Sequence, residues 1–159
     1  MPTDELDEVD FGILHLLQED ARHISTVEMA EHLSVSDQTI RNRIENLEEQ
    51  GIIEGYYPKI NYEKAGFQLR IRFTCTAPVD ERKALAAEAL QLQNVVRVEE
   101  ILSSKENVRP LAVTDTAEEI TDIASDLTDL GLTIESQHLV SDEKVRPFNH
   151  FGENIVSSR

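Results

Sequence analysis

Gln38, Arg41, Asn42 and Glu45 fall on one outward stripe of a helix-period stretch, with Thr39 and Arg43 on its flank and Ser36 just ahead of it. Side chains of these types can read the edges of base pairs. Arg pairs with guanine, Gln and Asn with adenine, and Glu accepts from cytosine, so such a helix laid in a major groove has a usable vocabulary. The same stripe also reads as a plain solvated polar face, which is the usual outer side of an amphipathic helix. No other residue pattern offers competing chemistry. His15, His23 and His32 lack metal-ligand spacing, and no serine, cysteine or paired-carboxylate constellation stands out.

The elements around this stripe decide between the two readings. Ser25 followed by Glu28 is a capping-box start, and Met29, Ala30 and Leu33 give the short helix after it one apolar face. Ser34-Val35-Ser36 then turns the chain, with Ser36 placed to cap the next helix. In that helix Ile40, Ile44 and Leu47 follow i, i+4, i+7 spacing, and Gly51 suits a left-handed stop. Two short helices joined by a tight turn make a helix-turn-helix. Ahead of it, a helix from about Asp7 to Asp20 carries Val9, Ile13, Leu16 and Leu17 on one stripe and Phe11 with Leu14 on a second. After it, IIEGYYPKI reads as a short wing of two brief strands about Glu54-Gly55, with Tyr56 and Tyr57 as packing residues.

LDEVDFGILHLLQEDAR and STVEMAEHLSVSDQTIRNRIENLEEQGIIEGYYPKINYEKAGF together resemble the DNA-binding half of the Lrp/AsnC family, the leucine-responsive and asparagine-synthase regulators, over about the first 67 residues. Leu6, Asp7, Asp10, Ile13, Leu14 and Leu17 match the first-helix signature. Arg43, Ile44, Leu47, Glu48, Gly51 and Ile53 match the recognition helix and its turn. The resemblance implies a sequence-specific transcription regulator on double-stranded DNA, with Gln38, Arg41 and Asn42 in the groove and Ser36, Thr39 and Arg43 toward phosphates.

Charge is the apparent objection. The 159-residue chain carries 31 acids against 15 bases, a formal net charge of −16. Residues 1–64 hold fifteen of those acids and five bases, so the half with the DNA-reading pattern is strongly acidic. Ten of the fifteen bases are Arg and only five are Lys. A carboxylate-rich, Lys-poor chain with an ordinary apolar pattern is expected of a protein that works in concentrated salt, where screening lengths fall to about 3 Å and long-range repulsion from DNA nearly vanishes.

Past a linker at 61–67, the pattern changes to strands. Leu69, Ile71, Phe73 and Cys75 alternate with polar neighbours, and Cys75, the single cysteine, reads as a small core residue. A helix over Asp80–Leu92, strands over Val95–Leu102 and Leu111–Thr114, a helix opened by a Thr116/Glu119 capping box and ended by Gly131, and a strand over Leu132–Val140 complete the order βαββαβ. That order predicts a ferredoxin-like sheet with two helices on one face and the other face bare. Pro110 is expected at a strand's first residue or at a bulge.

The expected architecture is therefore α+β: a winged helix-turn-helix over 1–60, a linker, a ferredoxin-like effector-sensing and dimerisation domain over 68–141, and a tail over 142–159. The tail is expected to return as an edge strand or to wrap a neighbouring subunit. The resemblance implies a homodimer or higher homo-oligomer, its sheets paired across the dimer, and a small-molecule effector such as an amino acid. At the effector turn the family typically has a Gly-x-x-Asp-like sequence, whereas this chain has Ser103-Ser104-Lys105-Glu106-Asn107. Without that glycine the turn is expected to narrow or fill the amino-acid site, so that no free amino acid binds; the alternative is that Ser104, Lys105 and Arg109 meet a differently shaped, anionic ligand. Absence of any apolar run of membrane-spanning length predicts a cytoplasmic protein without a membrane partner. No cofactor or metal is expected, and no enzymatic activity. The siroheme decarboxylases share the architecture but use basic residues and histidines of the second domain. Here only His138 and His150 lie beyond residue 32. An effector-sensing or protein-interaction module with weak or no DNA binding is the remaining alternative.

Overall fold

Short polar residues set the helix starts in this chain. In the computed structural model, which describes residues 5–152, Asp7 caps helix α1 (Glu8–Asp20), accepting from the amides of Val9 and Asp10 while the Asp10 carboxylate accepts from the Asp7 amide. Ser25 and Glu28 close the same reciprocal box at the start of α2 (Thr26–Leu33). Ser36 caps α3 (Asp37–Glu49) by accepting from the Thr39 amide. Each cap satisfies amides that the first turn leaves unpaired. Ile13, Leu14, Leu16, Met29, Ala30, Ile40 and Leu47 bury one cluster between these three helices.

The expected wing strands do not form. Residues 51–60 contain no strand, and the reason lies at the end of α3. Gly51 adopts φ +70°, and the amides of Ile52 and Ile53 both donate to the Leu47 carbonyl. That C-terminal cap uses the amides a hairpin would need, and Pro58 supplies none. Tyr56 donates its hydroxyl to Glu48 at 2.9 Å and so lies back on α3.

The second unit spans residues 59–143. Its strands β1 (Leu69–Thr76), β2 (Val95–Glu100), β3 (Val108–Thr114) and β4 (Thr133–Leu139) form an antiparallel sheet in the order β2-β3-β1-β4, with α4 (Arg82–Leu90) and α5 (Ala117–Asp129) packed on one face. Ile71, Phe73, Cys75, Val108 and Ala112 point to that face and meet Leu85, Ala86, Ala89, Ile123 and Leu127. Burial, with Glu135 second, pushes the Cys75 thiol up to about 12, so it is a protonated core residue at neutral pH.

Three local expectations need correction. Pro110 is the third residue of β3, inside a central strand. It pairs with Val98 on β2, while the register with β1 passes from Arg72↔Leu111 to Cys75↔Val108, a gap where proline has no amide to give. The α5 cap is half a box: Thr116 accepts from the Glu119 amide, but the Glu119 carboxylate takes the Thr114 hydroxyl instead. The face opposite the helices is not bare. Ser141 gives its carbonyl to Arg70 on β1 and Glu143 pairs with Arg97 on β2, so the segment after β4 crosses the sheet from one edge toward the other.

From Lys144 the chain belongs again to the helical unit. There it forms neither an edge strand nor a free tail: a 3₁₀ turn (Asn149–Gly152) stacks Phe151 on Phe11 with ring centroids 5.5 Å apart, and the Phe148 amide donates to Gln18. Gly152 lies so close to His15 that a Cβ there would come within 2.6 Å of the imidazole. Residues 153–159 lie outside the described residues.

Asn107, fully buried, holds the turn between β2 and β3: it accepts from the Ala77 amide and donates to the carbonyls of Ala77 and Ser103. Asn107→Ala strands these groups away from water and is expected to cost about 1–3 kcal/mol, measured by urea unfolding at fixed KCl; an unchanged midpoint would show that the turn holds itself.

Candidate nucleic-acid interface

The outward face of α3 is positioned by what its other faces bury. Ile40 and Leu47 are at most 1 % exposed and fix the helix's rotation. Ser36, Gln38, Arg41, Asn42 and Glu45 are then exposed together, with Thr39 half-buried beside them. The approach to α3 is equally constrained. Ser34 takes a left-handed conformation (φ 55°), its amide and that of Val35 both donating to the Ala30 carbonyl, so α2 stops sharply before the new cap.

Polar side chains on this face are ordered before any partner arrives. Gln38 donates to the Asn42 side-chain oxygen at 2.9 Å, one turn along. Ser36 and Thr39 share a hydroxyl hydrogen bond of 2.8 Å. Arg41 pairs with Asp37 at 3.0 Å, but its side chain is 60 % exposed. An exposed i, i+4 pair contributes only about 0.3–0.5 kcal/mol, so a base edge or phosphate can displace Asp37. The Gln38–Asn42 pair presents an amide donor and acceptor in fixed relation, as a bidentate contact to adenine requires.

Arg43 is placed differently from the rest. Its guanidinium lies 2.8 Å from Asp7 and 3.0 Å from Asp10, and Asp10 is only 6 % exposed. Instead of facing phosphates it ties the recognition helix to the start of α1. The sequence pattern carried a signal for this that helix-wheel reasoning missed: Asp7 and Asp10, spaced i, i+3, both cap α1 and present two carboxylates to one incoming cation. Arg41 is thereby left as the one exposed cation of α3.

Ser104 and Lys105 sit in the exposed turn between β2 and β3, while Arg109 lies within β3 on the sheet face opposite α4 and α5. No hydrogen bond among the described residues joins these three side chains. Among the described residues there is also no group of three His, Cys, Asp or Glu side chains able to hold a metal ion, and no helix long and apolar enough to cross a membrane.

Residues 6–54 match the family model described as winged helix-turn-helix DNA-binding. An uncharacterized HTH-type transcriptional regulator of Pyrococcus furiosus is 49% identical over 65 residues, covering 41% of this chain and 43% of that protein. The HTH-type transcriptional regulator LrpA of Pyrococcus horikoshii is 47% identical over 64 residues, 40% and 45% of the two chains. The matched stretch thus spans less than half the length of these curated relatives. The leucine response regulatory protein LrpA of Mycobacterium tuberculosis is similar in fold over 88% of this chain and 95% of that one, with TM-score 0.72 at 20% sequence identity.

Arg43→Ala is expected to destabilise the helical unit by about 1–3 kcal/mol, less than the roughly 3–5 kcal/mol of a fully buried pair because Arg43 and Asp7 still reach water. Burial is the largest single influence on the Asp7 carboxyl and raises it, but the Asp10 amide and then Arg43 outweigh burial and hold it below its usual 3.8. A depressed folded value means the stabilisation is complete above 3.8 and is lost as pH falls through the folded value. Thermal melts in acid should therefore show Arg43→Ala losing less stability below that pH than the parent; identical acid limbs would refute the coupling.

Proposed function

We propose that this chain is a regulator of the Lrp/AsnC type, a sequence-specific transcription regulator of double-stranded DNA acting as a homodimer or higher homo-oligomer and performing no catalysis; the winged helix-turn-helix match over residues 6–54 and the similarity of that half to LrpA support it. The observation that carries this reading is the capped α2–turn–α3 pair presenting Gln38, Arg41 and Asn42 together. Arg41 and the Gln38–Asn42 pair read base edges, and the Ser36 and Thr39 hydroxyls meet phosphate at the N-terminus of α3, where the helix dipole favours an anion. Two-fold symmetry makes the operator a pseudo-palindrome with half-sites about 34 Å apart or a multiple of it. A small-molecule effector acting through the second unit, with Ser104, Lys105 and Arg109 as its contacts, completes this reading.

With Arg43 committed inside the unit, α3 offers the DNA one exposed cation, Arg41, held only by Asp37, among several carboxylates. The protein therefore works in concentrated salt inside the cell, where screening removes the penalty of bringing an acidic surface to DNA. Selection of genomic fragments by the purified protein in concentrated KCl tests the reading directly. Enrichment of a palindromic sequence is expected. Failure to enrich any sequence would instead favour an effector-sensing or interaction module.

Arg41→Ala should weaken specific binding by about 1–3 kcal/mol and relax preference at one base position; equal losses on operator and random DNA in a titration would make Arg41 a phosphate contact. The melting temperature should fall as KCl is diluted, because uncompensated carboxylates repel over about 30 Å at low ionic strength; a melting temperature independent of salt would sink the halophilic reading.

A further inference from the structure

Arg41 has a carboxylate one helical turn away on either side, Asp37 before it and Glu45 after it, and among the described residues only Asp37 pairs with it. The helix favours that choice. An acid four residues ahead of a cation is the better order, and an acid in the first turn suits the dipole. These effects explain a nearby carboxylate but not its geometry. Asp37 Oδ2 accepts from Arg41 Nε at 3.1 Å and lies 3.0 Å from Nη2, so the side edge of the guanidinium is closed against a single oxygen. The end edge, Nη1 with the outer hydrogen of Nη2, stays open on an exposed side chain.

The carboxylate that takes Arg41 is itself held. Asp37 Oδ1 is buried, and the Thr26 hydroxyl at the first residue of α2, with Arg41 after it, keeps the Asp37 carboxyl below its ordinary value, so it is charged at neutral pH. A carboxylate set between the first turns of α2 and α3 gives Arg41 a fixed direction, where a free arginine would sample many rotamers. The rest of the face offers no substitute, since Gln38 is bonded to Asn42 and Ser36 to Thr39. An exposed pair of this kind adds little to folding stability, and it leaves a negative charge on the face that meets DNA. Its effect falls on the aim of Arg41.

We propose that Asp37 is a positioning residue for sequence reading, holding Arg41 with its end edge outward so that this edge meets the O6 and N7 acceptors of a guanine; the role rests on the reading of α3 as the DNA-facing helix. Guanine presents these two acceptors side by side in the major groove, and the open edge presents two parallel donors. Weak as the pair is, such a base has no need to displace it, because Asp37 and the guanine use different edges of one guanidinium. A phosphate can be met by either edge and gains nothing from the restriction. Ordering Arg41 beforehand also spares part of the side-chain entropy that binding would otherwise lose. Removing Asp37 therefore has two effects of opposite sign: it deletes a charge that repels every phosphate, and it frees the arginine that reads one base.

Titration of the full-length protein at fixed KCl separates the two effects, using the selected operator, random DNA, and the operator with adenine in place of the guanine whose preference Arg41→Ala relaxes. Asp37→Ala is expected to weaken operator binding about three- to tenfold, to reduce the preference for guanine at that position by a similar factor, and to bind random DNA as tightly as the parent or more tightly. In an Arg41→Ala background the same change should weaken nothing. Should Asp37→Ala fail to fold, Asp37→Asn keeps the size and an acceptor for Thr26, and a loss of the same sign is expected. Tighter binding to operator and random DNA alike would make Asp37 an ordinary repelling carboxylate, and an equal loss in the Arg41→Ala background would make its role structural. Either result overturns the proposal while the regulator reading stands, as would a base other than guanine at the position Arg41 reads. A parent protein that selects no sequence, or an Arg41→Ala variant with unaltered base preference, would overturn the reading of α3 and this proposal together.

Discussion

The contact on which the helical unit turns is the bridge that Arg43 Nη1 makes between the carboxylates of Asp7 and Asp10. Asp10 is nearly buried, and a carboxylate in that position is tolerable only with its hydrogen-bond capacity filled. The Asp7 amide and the Arg43 guanidinium both donate to its Oδ2. One interaction thereby sets three things: where α1 begins, how α3 lies against it, and which side of α3 remains outward. Apolar packing by Ile40 and Leu47 is less directional and would allow small rotations of the helix. A charged contact shared by two carboxylates at a fixed point along it does not. In an acid-rich chain this also settles which cations remain for outside partners, since Arg43 is neutralised within the fold and Arg41 is held only by a solvent-exposed neighbour.

Much of this was legible in the sequence because it is local. Ser25, Glu28, Ser36, Gly51, Thr116 and Gly131 each mark a helix end by chemistry acting over three or four residues, and the alternation of Leu69 to Thr76 marks a strand with one buried side. The order of these elements is enough to give the ferredoxin-like sheet. Interactions between residues distant in the chain were illegible. The residues around Arg43 do not say that it meets Asp10, thirty-three residues earlier; the only signal lies at the far end, in the i, i+3 spacing of Asp7 and Asp10. The wing failed for a related reason, since turn composition suggested a hairpin while the helix cap had already taken its amides. Pro110 was misplaced because a central strand was assumed to need every ladder bond, whereas β3 keeps its pairing with β2 and leaves a gap toward β1.

Salt bears on both units. On α3 the surplus of carboxylates must be screened before a polyanion can approach. On the sheet four arginines share one face with Glu99 and Glu143, and Arg97 pairs with Glu143 there. Because guanidinium forks act through short directional hydrogen bonds, they keep selectivity at ionic strengths where diffuse attraction is gone.

The return of the chain to the helical unit carries a consequence for the order in which the molecule is made. Phe11 and His15 emerge from the ribosome more than 130 residues before Phe151 and Gly152, which complete their packing. The entire sheet unit is synthesised in the interval and can fold in it, since domains form as units during translation. Helices α1 to α3 must therefore hold together through that wait with one flank of α1 uncovered. The closing contact is made last, between the most distant segments of the chain, so it adds little to nucleation and acts mainly as a latch against unfolding.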